Sequence, residues 1–121
     1  MWWTVWVSVA AGFGSVARYT LDQAVRRRRP GFPYGTLLIN VSGSFLLGLV
    51  GGLSLDHGLA SGAALVLGAG FLGGFTTLST WAWESLELAA QGQRDLASAN
   101  VVGSIAAGLL AALAGFWLTL S

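Results

Sequence analysis

Apolar runs separated by short polar punctuation dominate the chain, and four of them have the length that a helix needs to cross a bilayer. The first extends from about Trp2 to Thr20, and the second from Gly35 to about Leu55. The third covers Gly58 to Trp83 and continues through Glu84 and Glu87 as a more polar helical end. The fourth covers Leu96 to about Thr119. Between the first two lies Arg26-Arg27-Arg28-Arg29-Pro30-Gly31-Phe32-Pro33, where two prolines and a glycine end any helix. Asp56-His57-Gly58 and Gln91 to Asp95 supply the other two turns. The pattern predicts an all-α membrane protein: one domain, four transmembrane helices, both termini on the same side.

The third run is the irregular one. At its centre stands Gly70-Phe71-Leu72-Gly73-Gly74-Phe75-Thr76-Thr77-Leu78-Ser79-Thr80-Trp81. Glycines beside hydroxyls make a poor helix, and non-helical backbone at membrane depth is tolerated only where protein buries it or where it lines a polar cavity. Gly70 and Gly74 at GxxxG spacing also suit a close helix contact. A broken transmembrane helix frees carbonyls and amides that can serve as ion ligands. The hydroxyl run after the glycines favours an ion-related break in this third helix.

Composition agrees with a membrane setting. Of the 121 residues, 55% are hydrophobic and 9% charged, against about 25% charged in a typical soluble protein. A soluble four-helix bundle would show polar outer faces, and these runs do not. Gly, at 18 residues, suits helices that approach closely in lipid. A net charge of +1 gives no field for nucleic acid, and the absence of Cys excludes disulfides and thiolate metal sites. Met1-Trp2-Trp3 has no basic lead, so no cleavable signal peptide is expected.

Charge is distributed unevenly. The six basic residues are all Arg. With four spans, Arg26, Arg27, Arg28, Arg29 and Arg94 fall on one side and none on the other, and the positive-inside rule then puts the Arg loop in the cytoplasm. The same run can also contact anionic lipid headgroups.

Candidate chemistry is carried by neutral groups. Thr36 and Asn40 share a helix face, as do Asn100, Ser104 and Gly108. With Thr76, Thr77, Ser79 and Thr80 they supply many uncharged donors, and the span interiors carry no acid. Neutral donors favour an anion or a small polar solute over a cation. Asn40 reads either as helix–helix glue or as a solute ligand. Arg18 either snorkels to the interface or pairs with Asp22, or it attracts anions at a vestibule. His57 and the Glu84/Glu87 pair read as solvated groups. No nucleophile–base pair, phosphate loop or metal cluster is present, so the chain is not expected to be an enzyme.

Several phrases match a known family. Gly14-x-x-x-Arg18-Tyr19 is similar to its first-helix signature and Gly35-Thr36-x-x-Ile39-Asn40-x-x-Gly43-x-Phe45-x-x-Gly48 to its second. The segment Gly70-Phe71-x-Gly73-Gly74-x-Thr76-Thr77-x-Ser79-Thr80 is similar to its third. Across nearly its whole length the chain resembles the Fluc (CrcB) fluoride channels. The resemblance implies an antiparallel dimer in the plasma (inner) membrane, with two fluoride pores along the subunit interface. It also implies a central structural sodium ion (Na+) held by the carbonyls of Gly73 and Thr76. The pore residues it implies are Thr36, Asn40, Ser79, Thr80, Asn100 and Ser104, with Arg18 at the vestibule.

Two positions depart from that pattern. Where the family usually places two phenylalanines, this chain has Leu78 and Trp81. An antiparallel homodimer also needs one chain inserted both ways, which the five-to-none arginine bias opposes. The expectation is therefore a passive fluoride channel, or one subunit of one paired with a related sister of opposite orientation. The rivals are a small-multidrug-type proton-coupled exporter, which would need an acid in the first span, and a non-conducting structural subunit.

Overall fold

The structure, a computed structural model, describes residues 2–120 and is all-helical there. Helix α1 spans Trp2–Arg28 and α2 spans Tyr34–Asp56. The next helix, α3, occupies residues 61–75: an α-helical turn at Ser61–Leu65, a π-helical stretch at Val66–Leu72 and a final turn at Gly73–Phe75. After two extended residues come α4, Leu78–Ala90, and α5, Arg94–Leu118. Tyr34–Asp56, Ser61–Ala90 and Arg94–Leu118 are long and apolar enough to cross a membrane. Helix α1, at 27 residues, has the length but carries Arg18, Asp22, Arg26, Arg27 and Arg28 along its second half.

Helix α1 runs on to Arg28 instead of stopping near Thr20. Asp22 accepts a hydrogen bond from the Arg26 Nε at 2.9 Å, an i,i+4 pair with the acid N-terminal, which is the stabilising order. Arg18 and Asp22 stand in the reverse order and do not pair; both recorded ion pairs among the described residues belong to Arg26. At the end of α4, Gly92 takes a left-handed φ of 80°. Its N–H and that of Gln93 reach back to the carbonyls of Ala89 and Leu88, the Schellman arrangement that stops a helix cleanly.

Missing side chains set the packing. Helix α1 lies against α3, and α2 against α5. A Cβ at Gly14 would overlap the Phe71 carbonyl, and one at Gly74 the Ala11 carbonyl. Gly48 and Gly115 do the same between α2 and α5, where an added Cβ would strike the Ala112 and Phe45 carbonyls. In lipid, where burying apolar side chains gains little, such backbone proximity is a main source of helix association. The outer surface is apolar: Leu113, Trp117, Leu109 and Val102 are all strongly exposed.

The break falls two residues later than its glycines suggest. Gly73 and Gly74 are helical, and Gly74 uses its small size against α1. Thr76 and Thr77 are the extended residues, with φ, ψ of −80°, 158° and −147°, 120°, a conformation that β-branched side chains favour. The π-helical stretch before them was not evident in the residue pattern.

Gly14→Val should separate α1 from α3 and cost on the order of 1–3 kcal/mol, as overpacking does. The midpoint of thermal unfolding in detergent measures it. Gly12→Ala, with open space at its Cβ, should leave that midpoint unchanged or slightly raised.

Candidate functional site

The two extended residues expose backbone polar groups inside an apolar layer, and those groups need partners. One side chain serves both groups of Thr77. Asn40, on α2, donates from its Nδ2 to the Thr77 carbonyl at 2.9 Å and accepts the Thr77 N–H on its Oδ1 at 2.9 Å. The Thr77 hydroxyl accepts the Thr80 N–H at 3.2 Å, capping α4. The Thr76 hydroxyl turns back and donates to the Leu72 carbonyl.

The break leaves the carbonyls of residues 73 to 76 without helical partners, and of these the Gly74 carbonyl accepts from the Ser15 hydroxyl at 3.3 Å. In an unbroken helix the Thr77 N–H would bond to the Gly73 carbonyl, and the Thr80 N–H to the Thr76 carbonyl. Both N–H groups are instead held by side chains, Asn40 and Thr77. Gly73 and Thr76 border a concavity of about 280 Å³ together with Asn40, Ser44 and Leu78. Leu78 is 75% exposed there.

A second cavity, about 150 Å³, lies on the other side of the break. Arg18, Thr36, Thr77 and Thr80 border it, with Tyr19, Asp22 and Ile39. Thr77 lines both cavities. Arg18 has no carboxylate within ion-pair distance among the described residues, so its charge is available to that cavity. Asp22 is the acid that a reading of the runs placed outside the spans, and its charge is taken up by Arg26.

The remaining candidates sit elsewhere. Ser79 is exposed, with its hydroxyl 3.5 Å from that of Thr77. Trp81 donates its indole N–H to the Asn100 carbonyl at 3.1 Å. Asn100 is 1% exposed; it donates to the Ser85 hydroxyl at 2.8 Å and accepts from Ser104 at 3.3 Å. This chain of bonds ties α4 to α5 and borders neither cavity. Ser85 lies outside the sequence-predicted set; its one signal in the sequence is its place one turn after Trp81.

Glu84 is buried rather than solvated. Its Oε2 accepts from the Arg26 guanidinium at 2.6 Å, and its Oε1 has no partner among the described residues. Arg26 thus bridges α1 and α4 beyond the apolar part of α1. The hydrogen bond to Asp22 raises its pKa further above the ordinary arginine value, against some opposing burial, and Glu84 adds to the effect. His57 likewise has a contact: its ring meets the Thr119 carbonyl, joining the ends of α2 and α5.

Comparison with known proteins fits these features. The family model described as "CrcB-like protein, Camphor Resistance (CrcB)" matches residues 5–116. The chain belongs to the CrcB family. A relative named "Fluoride-specific ion channel FluC 1" from Leifsonia xyli is 49% identical over 113 residues, covering 93% of this chain and 82% of the relative. One named "Fluoride-specific ion channel FluC 2" from Mycobacterium tuberculosis is 44% identical over 117 residues, covering 94% and 90%. A FluC 1 from Rubrobacter xylanophilus is 50% identical over 107 residues, covering 88% and 84%.

In this CrcB protein the Arg26 bridge fixes α4, and with it Thr77 and Thr80, against α1. Arg26→Gln should strip buried Glu84 of its cation and lower stability by on the order of 1–3 kcal/mol, since Arg26 itself is half exposed. The double variant Arg26→Gln/Glu84→Gln should recover part of that loss in thermal unfolding. With Glu84→Gln as the second single variant, losses that simply add in the double variant would show that the pair does not couple.

Proposed function

We propose that this CrcB protein is a fluoride-selective channel, or one subunit of one, through which cytoplasmic fluoride leaves passively down its electrochemical gradient. It is not an enzyme. The observation that carries the reading is the position of Thr77: a backbone break satisfied by one neutral amide, with a cavity on either side. Fluoride is small and strongly hydrated, so a path for it must replace water with donors without trapping the ion. Arg18, Thr36 and Thr80 offer a charge and hydroxyls on one side, and Asn40 and Ser44 border the other. Asn40 then has a double role, as glue for Thr77 and as a donor that an approaching anion can share.

The donor set at the break also suits a structural cation. Gly73 and Thr76 carbonyls without helical partners, bordering a concavity, are hard oxygen ligands of the kind sodium takes. Bound there, sodium would supply fixed positive charge that holds the break open. Asn100 and Ser104, whose polar atoms bond within α4 and α5, act as struts for the pore wall and set the position of Trp81.

In our reading the pore is completed by a second subunit in the plasma membrane, packed antiparallel against the face that carries Leu78, with α1 as the fourth span. Leu78 offers no aromatic edge to an anion, and the five-to-none arginine bias fixes one orientation. Both features favour a related sister subunit over a second copy of this chain. The names FluC 1 and FluC 2 among the relatives fit organisms that carry more than one such protein.

Fluoride efflux from liposomes, read with an electrode, is the test. This chain with its partner should pass fluoride and exclude chloride, and Asn40→Asp should slow the flux at least tenfold by removing a donor and adding a repelling charge. Thr76→Ser, which keeps the carbonyl, should be mild, whereas Gly73→Val should abolish sodium dependence together with flux. Wild-type flux in Asn40→Asp would remove Asn40 from the path. For the partner, labelling tags on the C-terminus and the Arg loop from each side of intact cells should find one orientation. Two comparable populations, with flux from this chain alone, would instead establish a homodimer.

A further inference from the structure

Behind the polar break, on another face of the molecule, lies an apolar groove of about 580 Å³. Its floor is Leu37, Leu38 and Val41 of α2 with Ala107 of α5, and Arg28, Arg29 and Tyr34 stand at its mouth. None of the residues discussed for fluoride borders it.

The two arginines are arranged differently from their neighbours. Arg26 is held by Asp22 and Glu84. Arg28 and Arg29 have no carboxylate within ion-pair distance among the described residues. Arg29 also borders the cavity that contains Glu84 and Glu87, yet it pairs with neither. It instead lies over the Tyr34 ring, with 5.8 Å between guanidinium and ring centre. That contact orients the cation at the groove mouth before anything binds. Tyr34 in turn packs on Phe32 at 5.0 Å, so an aromatic pair marks the water–lipid boundary at this depth.

The groove's length selects its occupant. From Tyr34 to Val41 it descends seven helical positions, about 10 Å at 1.5 Å per residue. One leaflet's hydrocarbon is about 15 Å deep. A transmembrane helix from another protein would need contact across both leaflets, and a soluble ligand would need polar groups below the mouth, where there are none. An acyl chain entering from one leaflet fits, with a phosphate above it facing two unpaired guanidiniums.

We infer that this groove is a binding site for an anionic glycerophospholipid of the Arg-loop leaflet, its phosphate on Arg28 and Arg29 and one acyl chain along Leu37, Leu38 and Val41. The inference rests on the membrane-spanning reading but not on fluoride conduction, because its readout is bound lipid. Any lipid can fill an apolar groove in a bilayer, so the specificity lies in the headgroup. Basic pockets between helices at this level select anionic lipids, each arginine contributing a few-fold. The site also joins α1 to α2 and α5 at the base of the Arg loop, so a bound lipid would steady the end of α1 that holds Arg26.

The test is native mass spectrometry of the full chain in mild detergent, titrated with phosphatidylglycerol or phosphatidylcholine of equal chain length. Phosphatidylglycerol should be retained as a discrete adduct at least tenfold better than phosphatidylcholine. Arg28→Gln/Arg29→Gln should abolish that preference, and Arg27→Gln, outside the groove, should keep it. Leu38→Trp fills the floor and leaves the arginines intact; it should also lose the adduct, which separates a groove from a basic surface. Three results would overturn the site: no preference between the lipids, equal loss in Arg27→Gln, or full retention in Leu38→Trp. Disulfide capture of a second copy through Leu38→Cys in native membranes would overturn it too, by assigning the groove to a subunit contact. Loss of fluoride flux with lipid retention intact would count against the channel reading and leave the lipid site standing.

Discussion

The paired hydrogen bonds between Asn40 and Thr77 are the interaction on which the rest of this architecture depends. A helix can leave its own hydrogen-bond ladder inside an apolar layer only if something else satisfies the backbone it abandons. Here one amide does both jobs, donating to the Thr77 carbonyl and accepting its N–H. Because that N–H is taken, the Gly73 carbonyl is released. Because the Thr77 hydroxyl caps α4, the Thr76 carbonyl is released as well. The Gly74 and Phe75 carbonyls lose their helical partners at the same break, and the Ser15 hydroxyl takes up the first of them.

The surrounding contacts keep that geometry in place. Glycines at 14 and 74 bring α1 onto α3 just before the break, and the Arg26–Glu84 pair holds α4 just after it. Helix α2, which carries Asn40, is locked to α5 through Gly48 and Gly115. Asn100 then links α5 back to α4 through Ser85 and Trp81. Helix α1 therefore holds both halves of the broken helix, at Gly74 and at Glu84, while α5 holds the second half alone, and Asn40 spans the gap. Arg18 and the hydroxyls of Thr36 and Thr80 meet at one side of it.

Much of this was legible in the residue pattern. The four runs, the broken third helix, and a bonding role for Asn40 between helices follow from apolar length and from isolated polar groups within it. The location of the break was less legible, because glycines serve two purposes: freedom of the backbone and closeness of approach. Gly74 serves the second, as its GxxxG spacing with Gly70 suggests, and the position of Ala11 names the partner. Glu84 looked solvated because its partner, Arg26, is distant in sequence and sits in a run that reads as a loop. The bonds from Asn100 to Ser85 and Ser104 were not legible, because helical periodicity gives a face without saying which neighbour that face meets.

The central claim is that Asn40 holds the third helix open. Amide hydrogen exchange of the reconstituted protein, followed by NMR at the Thr77 N–H, measures this most directly. The account predicts a slowly exchanging Thr77 amide in the wild type and a fast one in Asn40→Ala, with the amides of α2 unchanged. Equal protection in both proteins would mean that Thr77 bonds within its own helix, and that the break does not depend on Asn40.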